Sequence, residues 1–248
     1  MSSFRLVDFG LATIDRSSTE LPQPATTSTQ CQICAKSPNP CMTCKSRPKR
    51  ESYHVVGTPG VRAPELLFGV GVCSPAVDIF SAGLCLLSLV TLKHPFFMPK
   101  DETENIMDLA CLLGSDIMEK IGEREGLRVT ISEHRNPTDF CQLILCLRFG
   151  FESVHKFAAK ILDFPRKACE KCAEIGHGNV DSVCFCRPPD SGKFSTSGIS
   201  NELLVLYVDL LYSALEPDRF LRFSADRLLS IIDLYERRQI VYPKLDIE

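Results

Sequence analysis

Thirteen cysteines in 248 residues are the plainest chemistry in this sequence, because eight of them fall into two tight groups. Cys31-x2-Cys34-x6-Cys41-x2-Cys44 sets two CxxC knuckles six residues apart. That spacing lets four thiolates surround one Zn²⁺ tetrahedrally, at about 2.3 Å each. Four exposed thiols without a metal would be a redox liability, so zinc is preferred to incidental cysteines in a loop. The second group, Cys169-x2-Cys172-x11-Cys184-x-Cys186 with His177 between, closes on an awkward CxC pair. It reads either as a second zinc site, with His177 replacing one thiolate, or as a disordered Cys-rich insertion. Cys73, Cys85, Cys111, Cys141 and Cys146 are scattered among mostly apolar neighbours and read as small buried hydrophobes.

The elements that must carry these groups are mostly helices. Residues 4–10 read as a short strand ending in an acidic turn. The stretch 17–52 is rich in Thr, Ser, Pro, Gln and Cys and builds no core unless something cross-links it. Residues 57–67 are turn-rich, and Pro64 then opens a helix. Ser74-Pro75 starts the strongest helix, apolar on nearly every face through Val90, which predicts a place in the middle of the domain and an end at Pro95. A helical region follows over 103–121, with Gly114 as a break, and another over 139–163. Residues 164–200 are a second insertion. Two helices close the chain: one over 202–215, the other starting at Ser224, with Leu228, Leu229, Ile232 and Tyr235 along one side.

Lys and Arg number 28 against 31 Asp and Glu, a net charge of -3, which gives no support for holding nucleic acid through a basic surface. Lys45, Arg47, Lys49 and Arg50 form a local basic patch, better read as a solvated loop or docking surface than as a nucleic-acid site. No apolar run of about eighteen residues predicts a membrane span, and no signal-peptide core follows Met1. The odd cysteine count argues against a secreted disulfide framework, so a reducing cytosol or nucleus is expected. His94 reads as a helix-end residue. His54, His134 and His155 have no carboxylate or cysteine arrangement that would make a catalytic case and read as surface or packing residues.

Three further motifs occur in a telling order: Val7-Asp8-Phe9-Gly10, then Gly57-Thr58-Pro59-Gly60 with Arg62-Ala63-Pro64-Glu65, then Asp78 opening the apolar helix. In this order they resemble the C-terminal lobe of a eukaryotic protein kinase. The resemblance implies a mainly α kinase-like C-terminal lobe over 1–248, truncated before the DFG motif and carrying two Cys-rich insertions, at 17–52 and 164–200. It makes Asp8 the Mg²⁺-binding aspartate facing ATP, with Phe9 packed behind it and Gly10 allowing the turn. Gly57, Thr58, Pro59 and Gly60 become the substrate-facing loop. Glu65 and Asp78 become structural residues, Asp78 accepting backbone N–H bonds from a loop this chain does not contain. Glu65 needs a buried partner: Arg222 is the candidate and Arg219 the alternative.

The long stretch between Asp8 and Glu65, the segment GTPGVRAPELL and IMDLACLLGSDIMEKIGEREG resemble the cell-division-cycle seven kinases. That resemblance implies an ATP-dependent serine/threonine kinase of the nucleus that promotes DNA replication and cell-cycle progression. Its implied partners are a regulatory activating subunit, contacted by the zinc insert, and replicative helicase subunits as substrate, with no direct nucleic acid and no membrane. The sequence has no Gly-rich loop, no strand lysine and no HRD segment, so the family's catalytic aspartate is absent and the fragment is expected to be inactive alone. A non-catalytic, zinc-stabilised adaptor that binds the regulatory subunit is the alternative expectation.

Overall fold

The computed structural model describes residues 12, 57–69, 74–150, 185–186 and 202–237. The chain divides into two compact units, Met1–Pro48 and Lys49–Glu248. Apart from Ala12, every described residue belongs to the second unit, whose described residues are mainly helical. The expected strand at 4–10 and the whole of the first Cys-rich insert lie outside the described residues.

Seven helices carry the second unit among the described residues: α1 Pro64–Leu67, α2 Ala76–Thr91, α3 Glu102–Leu113, α4 Ser115–Arg124, α5 Phe140–Phe149, α6 Glu202–Ala214 and α7 Ala225–Arg237. Local chemistry sets most of their ends. Asp101 caps α3 by accepting the Glu104 N–H at 2.8 Å, while the Glu104 carboxylate accepts the Lys100 N–H at 2.6 Å. Asp139 caps α5 through the Gln142 N–H, and Ser224 Oγ accepts the Arg227 N–H at the start of α7. The break at Gly114, at φ 98, separates α3 from α4.

The core lies where α2 packs against α5 and α6, with α3 and α4 set against each other and against α1. Phe80, Leu84 and Leu87 of α2 meet Val208, Leu211 and Leu215, while Leu109 and Met118 fill the α3–α4 side. Gly83 lets α2 and α6 approach closely: a Cβ there would lie 2.8 Å from Leu215 Cδ2 and 3.0 Å from Ala214 Cβ.

Four expectations need correction. The central helix ends at Thr91 rather than at Pro95, because Leu92 turns left-handed at φ 56 and the Lys93 N–H returns to the Ser88 carbonyl at 3.1 Å. It is also not buried on every face. Ala82, Cys85 and Leu89 are exposed, since α5 and α6 cover only the side that holds Phe80, Leu84 and Leu87. Leu229 is 56 % exposed, because α7 leans on α6 through Tyr235 instead. Among the scattered cysteines, Cys141 and Cys146 are buried but Cys85 and Cys111 are exposed, because they face outward from α2 and α3.

Tyr235 ties α7 to α6 by donating its hydroxyl to Asp209 Oδ2 at 3.0 Å. Burial pushes the Asp209 carboxyl up, and the tyrosine bond only partly offsets this. The folded state therefore holds the Asp209 proton more tightly than the unfolded chain does. This contribution to stability is fully present below the unfolded value of about 3.9 and is lost as pH rises through the folded one. Asp209→Asn, which keeps an acceptor for Tyr235, should raise the thermal midpoint at pH 7. The gain should shrink as the pH is taken below about 4, where the native carboxyl is already neutral. Equal gains at both pH values in a thermal denaturation series would contradict this account.

Candidate functional site: a buried ion pair behind an exposed loop

The loop ahead of α1 is held by its own backbone and by three side chains. The Val61 N–H donates to the Thr58 carbonyl at 3.3 Å, closing a turn over Pro59 and Gly60. Gly60 sits at φ +83, and a Cβ on it would lie 2.6 Å from the Phe97 carbonyl oxygen. Glycine is required there both by the left-handed backbone and by the absence of room. Arg62 donates from Nε to the Gly57 carbonyl at 2.8 Å and reaches Glu102 at 3.4 Å. Ser81 Oγ, on α2, donates to the Val61 carbonyl at 2.8 Å. Gly57, Thr58 and Pro59 are exposed as a result, presented on a braced turn.

Immediately behind the loop, Glu65 and Arg222 meet. Arg222 Nη1 donates to Glu65 Oε1 at 2.7 Å and Nη2 to Oε2 at 3.0 Å, a two-pronged pair with side chains 0 % and 2 % exposed. The other guanidinium protons reach main-chain carbonyls: Nε donates to Glu216 at 2.8 Å, Nη1 to Ala76 at 2.7 Å and Nη2 to Pro217 at 3.2 Å. All five donors of the guanidinium therefore have an acceptor. Beneath it lies the Phe80 ring, 4.8 Å from the guanidinium carbon to the ring centroid.

Arg219, the alternative partner, lies elsewhere: it pairs with Glu125 at 3.3 Å and stacks on Phe220 at 4.8 Å. Arg124 pairs with Asp218 in the same segment. The connection between α6 and α7 is thus fastened by three arginine–carboxylate contacts. The sequence reading placed Phe80 only in the apolar helix and did not foresee the three carbonyls, since a main-chain acceptor leaves no mark in the residue string.

The remaining candidate residues are dispersed. Asp78 is exposed in the first turn of α2. His94 is exposed, with Nδ1 3.3 Å from Ser88 Oγ. His134, read as a surface or packing residue, is exposed and lies 2.8 Å from Asp116, because the loop after α4 returns past the start of that helix. Asp8, Phe9 and Gly10, the cluster Cys31, Cys34, Cys41 and Cys44, and Cys169, Cys172, His177 and Cys184 lie outside the described residues, as do His54 and His155. Cys186 is described; it is half-buried and opposite Thr138. Among the described residues, no three or more His, Cys, Asp or Glu side chains gather where they could hold a metal ion, and no helix is long and apolar enough to cross a membrane.

Breaking the pair should strand a buried charge. Glu65→Ala should cost about 3–5 kcal/mol, and Arg222→Lys should also destabilise, because an ammonium cannot reach four separated acceptor groups. The double variant Glu65→Leu/Arg222→Met should cost less than the summed losses of Glu65→Leu and Arg222→Met made singly. Urea unfolding of the four proteins measures this; strict additivity would contradict the assigned coupling.

No family model matches the chain. Among curated proteins, it is similar to the cell cycle serine/threonine-protein kinase hsk1 of Schizosaccharomyces pombe, 35% identical over 144 residues, covering 52% of this chain and 27% of that protein. It is 27% identical over 163 residues to the non-specific serine/threonine protein kinase Cdc7 of Drosophila melanogaster, covering 64% of this chain and 22% of the fly protein. The cell division cycle 7-related protein kinase of Mus musculus is 34% identical over 120 residues, covering 48% of this chain and 21% of the mouse protein. The chain therefore spans only a quarter or so of the length of these relatives. The agreement across yeast, fly and mouse, over a largely helical stretch of C-terminal-lobe size, relates this chain by sequence to the serine/threonine protein kinases of the Cdc7/Hsk1 type.

Proposed function

We propose that this chain supplies the C-terminal lobe of an ATP-dependent serine/threonine kinase of the Cdc7 type, acting in the nucleus to promote DNA replication. The observation that carries this reading is the braced turn at 57–60 set directly against the buried Glu65–Arg222 pair. An ion pair fastened by five hydrogen bonds is a rigid base from which to present an exposed loop to a peptide substrate. The cell-cycle kinases to which the chain is similar support the same reading. In it, Asp8 holds Mg²⁺ against the phosphates of ATP, and the partners are an activating regulatory subunit and, as substrate, replicative helicase subunits.

Phosphoryl transfer depends on positioning, and residues 1–248 contain neither the HRD aspartate nor a Gly-rich loop. The 248-residue polypeptide alone should incorporate no radiolabelled phosphate into an acidic Ser/Thr peptide above background. Exchanged for the matching segment of the fission-yeast kinase, it should support transfer, and Asp8→Asn in that chimaera should abolish it. Turnover by the polypeptide alone, or an active Asp8→Asn chimaera, would refute the assigned roles.

Cys31, Cys34, Cys41 and Cys44 are proposed to bind one structural Zn²⁺. Metal affinity in such small sites is folding free energy, of order 10 kcal/mol, and it requires thiolates, so it weakens as pH falls. Under reducing conditions, cobalt substitution of the chain should give the intense d–d band of tetrahedral thiolate coordination. Cys34→Ser should lower that band sharply, whereas Cys85→Ser, on the exposed side of α2, should leave it unchanged. Equal spectra from the two variants would return the four cysteines to an incidental role.

A further inference from the structure

The chain leaving α4 is built like a strand. Over 126–132 exposure alternates residue by residue: Leu127, Val129 and Ile131 are half-buried against the core, while Gly126, Arg128, Thr130 and Ser132 are exposed. No turn or bend interrupts 127–131. The stretch is fixed to α4 along its length. The Leu127 N–H donates to the Gly122 carbonyl at 2.8 Å, and the Ile131 N–H to the Glu119 carboxylate at 2.7 Å. Between them Val129 lies so close over Gly122 that a Cβ there would come within 3.0 Å of the valine Cβ. Successive residues of a strand turn their main-chain polar groups to opposite sides. Leu127 and Ile131 turn theirs to α4, so Arg128 and Thr130 turn theirs away from it. Among the described residues, neither the N–H nor the C=O of Arg128 or Thr130 has a hydrogen-bond partner. A fixed, extended backbone with one open row of donors and acceptors is a template for another strand.

Charge says what the row accepts. Nearby charges are engaged elsewhere: Glu125 with Arg219, Glu133 with Arg135, His134 with Asp116, and Glu119 with the Ile131 N–H. Arg128 is exposed and has no carboxylate partner among the described residues. We propose that 127–132 is a docking edge for an extended acidic peptide of a partner protein, which adds as an antiparallel strand, the more stable pairing, beside Arg128 and Thr130. Arg128 exchanges both main-chain bonds with one peptide residue, whose carboxylate meets the guanidinium on the solvent face. Thr130 does the same with the residue two positions earlier, where a threonine makes a favourable cross-strand pair. The peptide residues between these turn inward beside Leu127, Val129 and Ile131, and are apolar. Because α4 already holds the edge in place, docking orders little more than the peptide itself.

The test reads binding to the full 248-residue chain by fluorescence anisotropy, independently of phosphoryl transfer. The probe is a labelled peptide, Val-Thr-Val-Glu-Val-Thr-Val, on a polyethylene glycol tail. It should bind saturably, and Arg128→Glu, an exposed substitution that leaves the core untouched, should weaken it about fivefold or more. The same peptide with Lys in place of Glu should show the opposite preference between the two proteins. Backbone pairing is read by N-methylation. Methylating the Glu and the Thr two positions before it removes the donors that face the edge, and should cost about tenfold or more. Methylating the two Val residues that flank the Glu, whose N–H groups face away, should cost much less. No saturable binding up to about 1 mM would overturn the proposal. So would equal losses from the two methylated peptides, or equal affinity of the native chain for the Glu and Lys peptides.

Discussion

A guanidinium taken out of water must recover its hydration from fixed acceptors, and the helical unit is organised around that demand at Arg222. Desolvating an ion costs several kcal/mol even after relaxation. Here the cost is offset by a two-pronged carboxylate at 2.7 and 3.0 Å and by the carbonyls of Ala76, Glu216 and Pro217. Those acceptors belong to different elements: Glu65 to α1, Ala76 to the start of α2, and Glu216 and Pro217 to the connection just after α6. One side chain therefore sets the relative placement of three helices, and a shift of any of them would leave a buried donor unmatched. Phe80, which supports the guanidinium from below, is itself fully buried, so the pair and the apolar core hold each other in place.

The surrounding contacts extend this constraint outward. Arg124 on Asp218 and Arg219 on Glu125 fasten the segment that delivers Arg222, with Phe220 beneath both arginines at 6.0 and 4.8 Å. On the opposite side, Ser81 and Arg62 anchor the turn at 57–61 to α2 and α3. The exposed Thr58 and Pro59 consequently rest on a chain of hydrogen bonds that runs back to the core, which is how a loop keeps a defined shape without burying its own residues.

Cysteine chemistry in this chain is decided by location. Within ten residues of one another, Cys141 and Cys146 lie inside α5, where burial disfavours the thiolate and with it any reaction. Cys85 and Cys111 are of the same residue type in similarly apolar sequence, yet they face outward. Apolar neighbours in a string do not distinguish these cases, because a helix turns each residue by a third of a circle and only the partner helices decide which third is covered.

Local chemistry is what the residue string announced: an apolar helix opened by Ser74-Pro75, a break at Gly114, a cap at Ser224, and a carboxylate at Glu65 in need of a cation. Each depends on groups a few residues apart, so spacing alone reveals it. The fold had to choose between Arg219 and Arg222, three residues apart on one short connection and equally cationic. That choice rests on the path of the backbone, which turns Arg222 inward beneath Glu65 and Arg219 toward Glu125. The same holds for Leu92, whose left-handed conformation ends α2 before any proline, and for the exposed stripe of that helix. Main-chain carbonyls and long-range approach have no residue code, so only the packed chain could decide them.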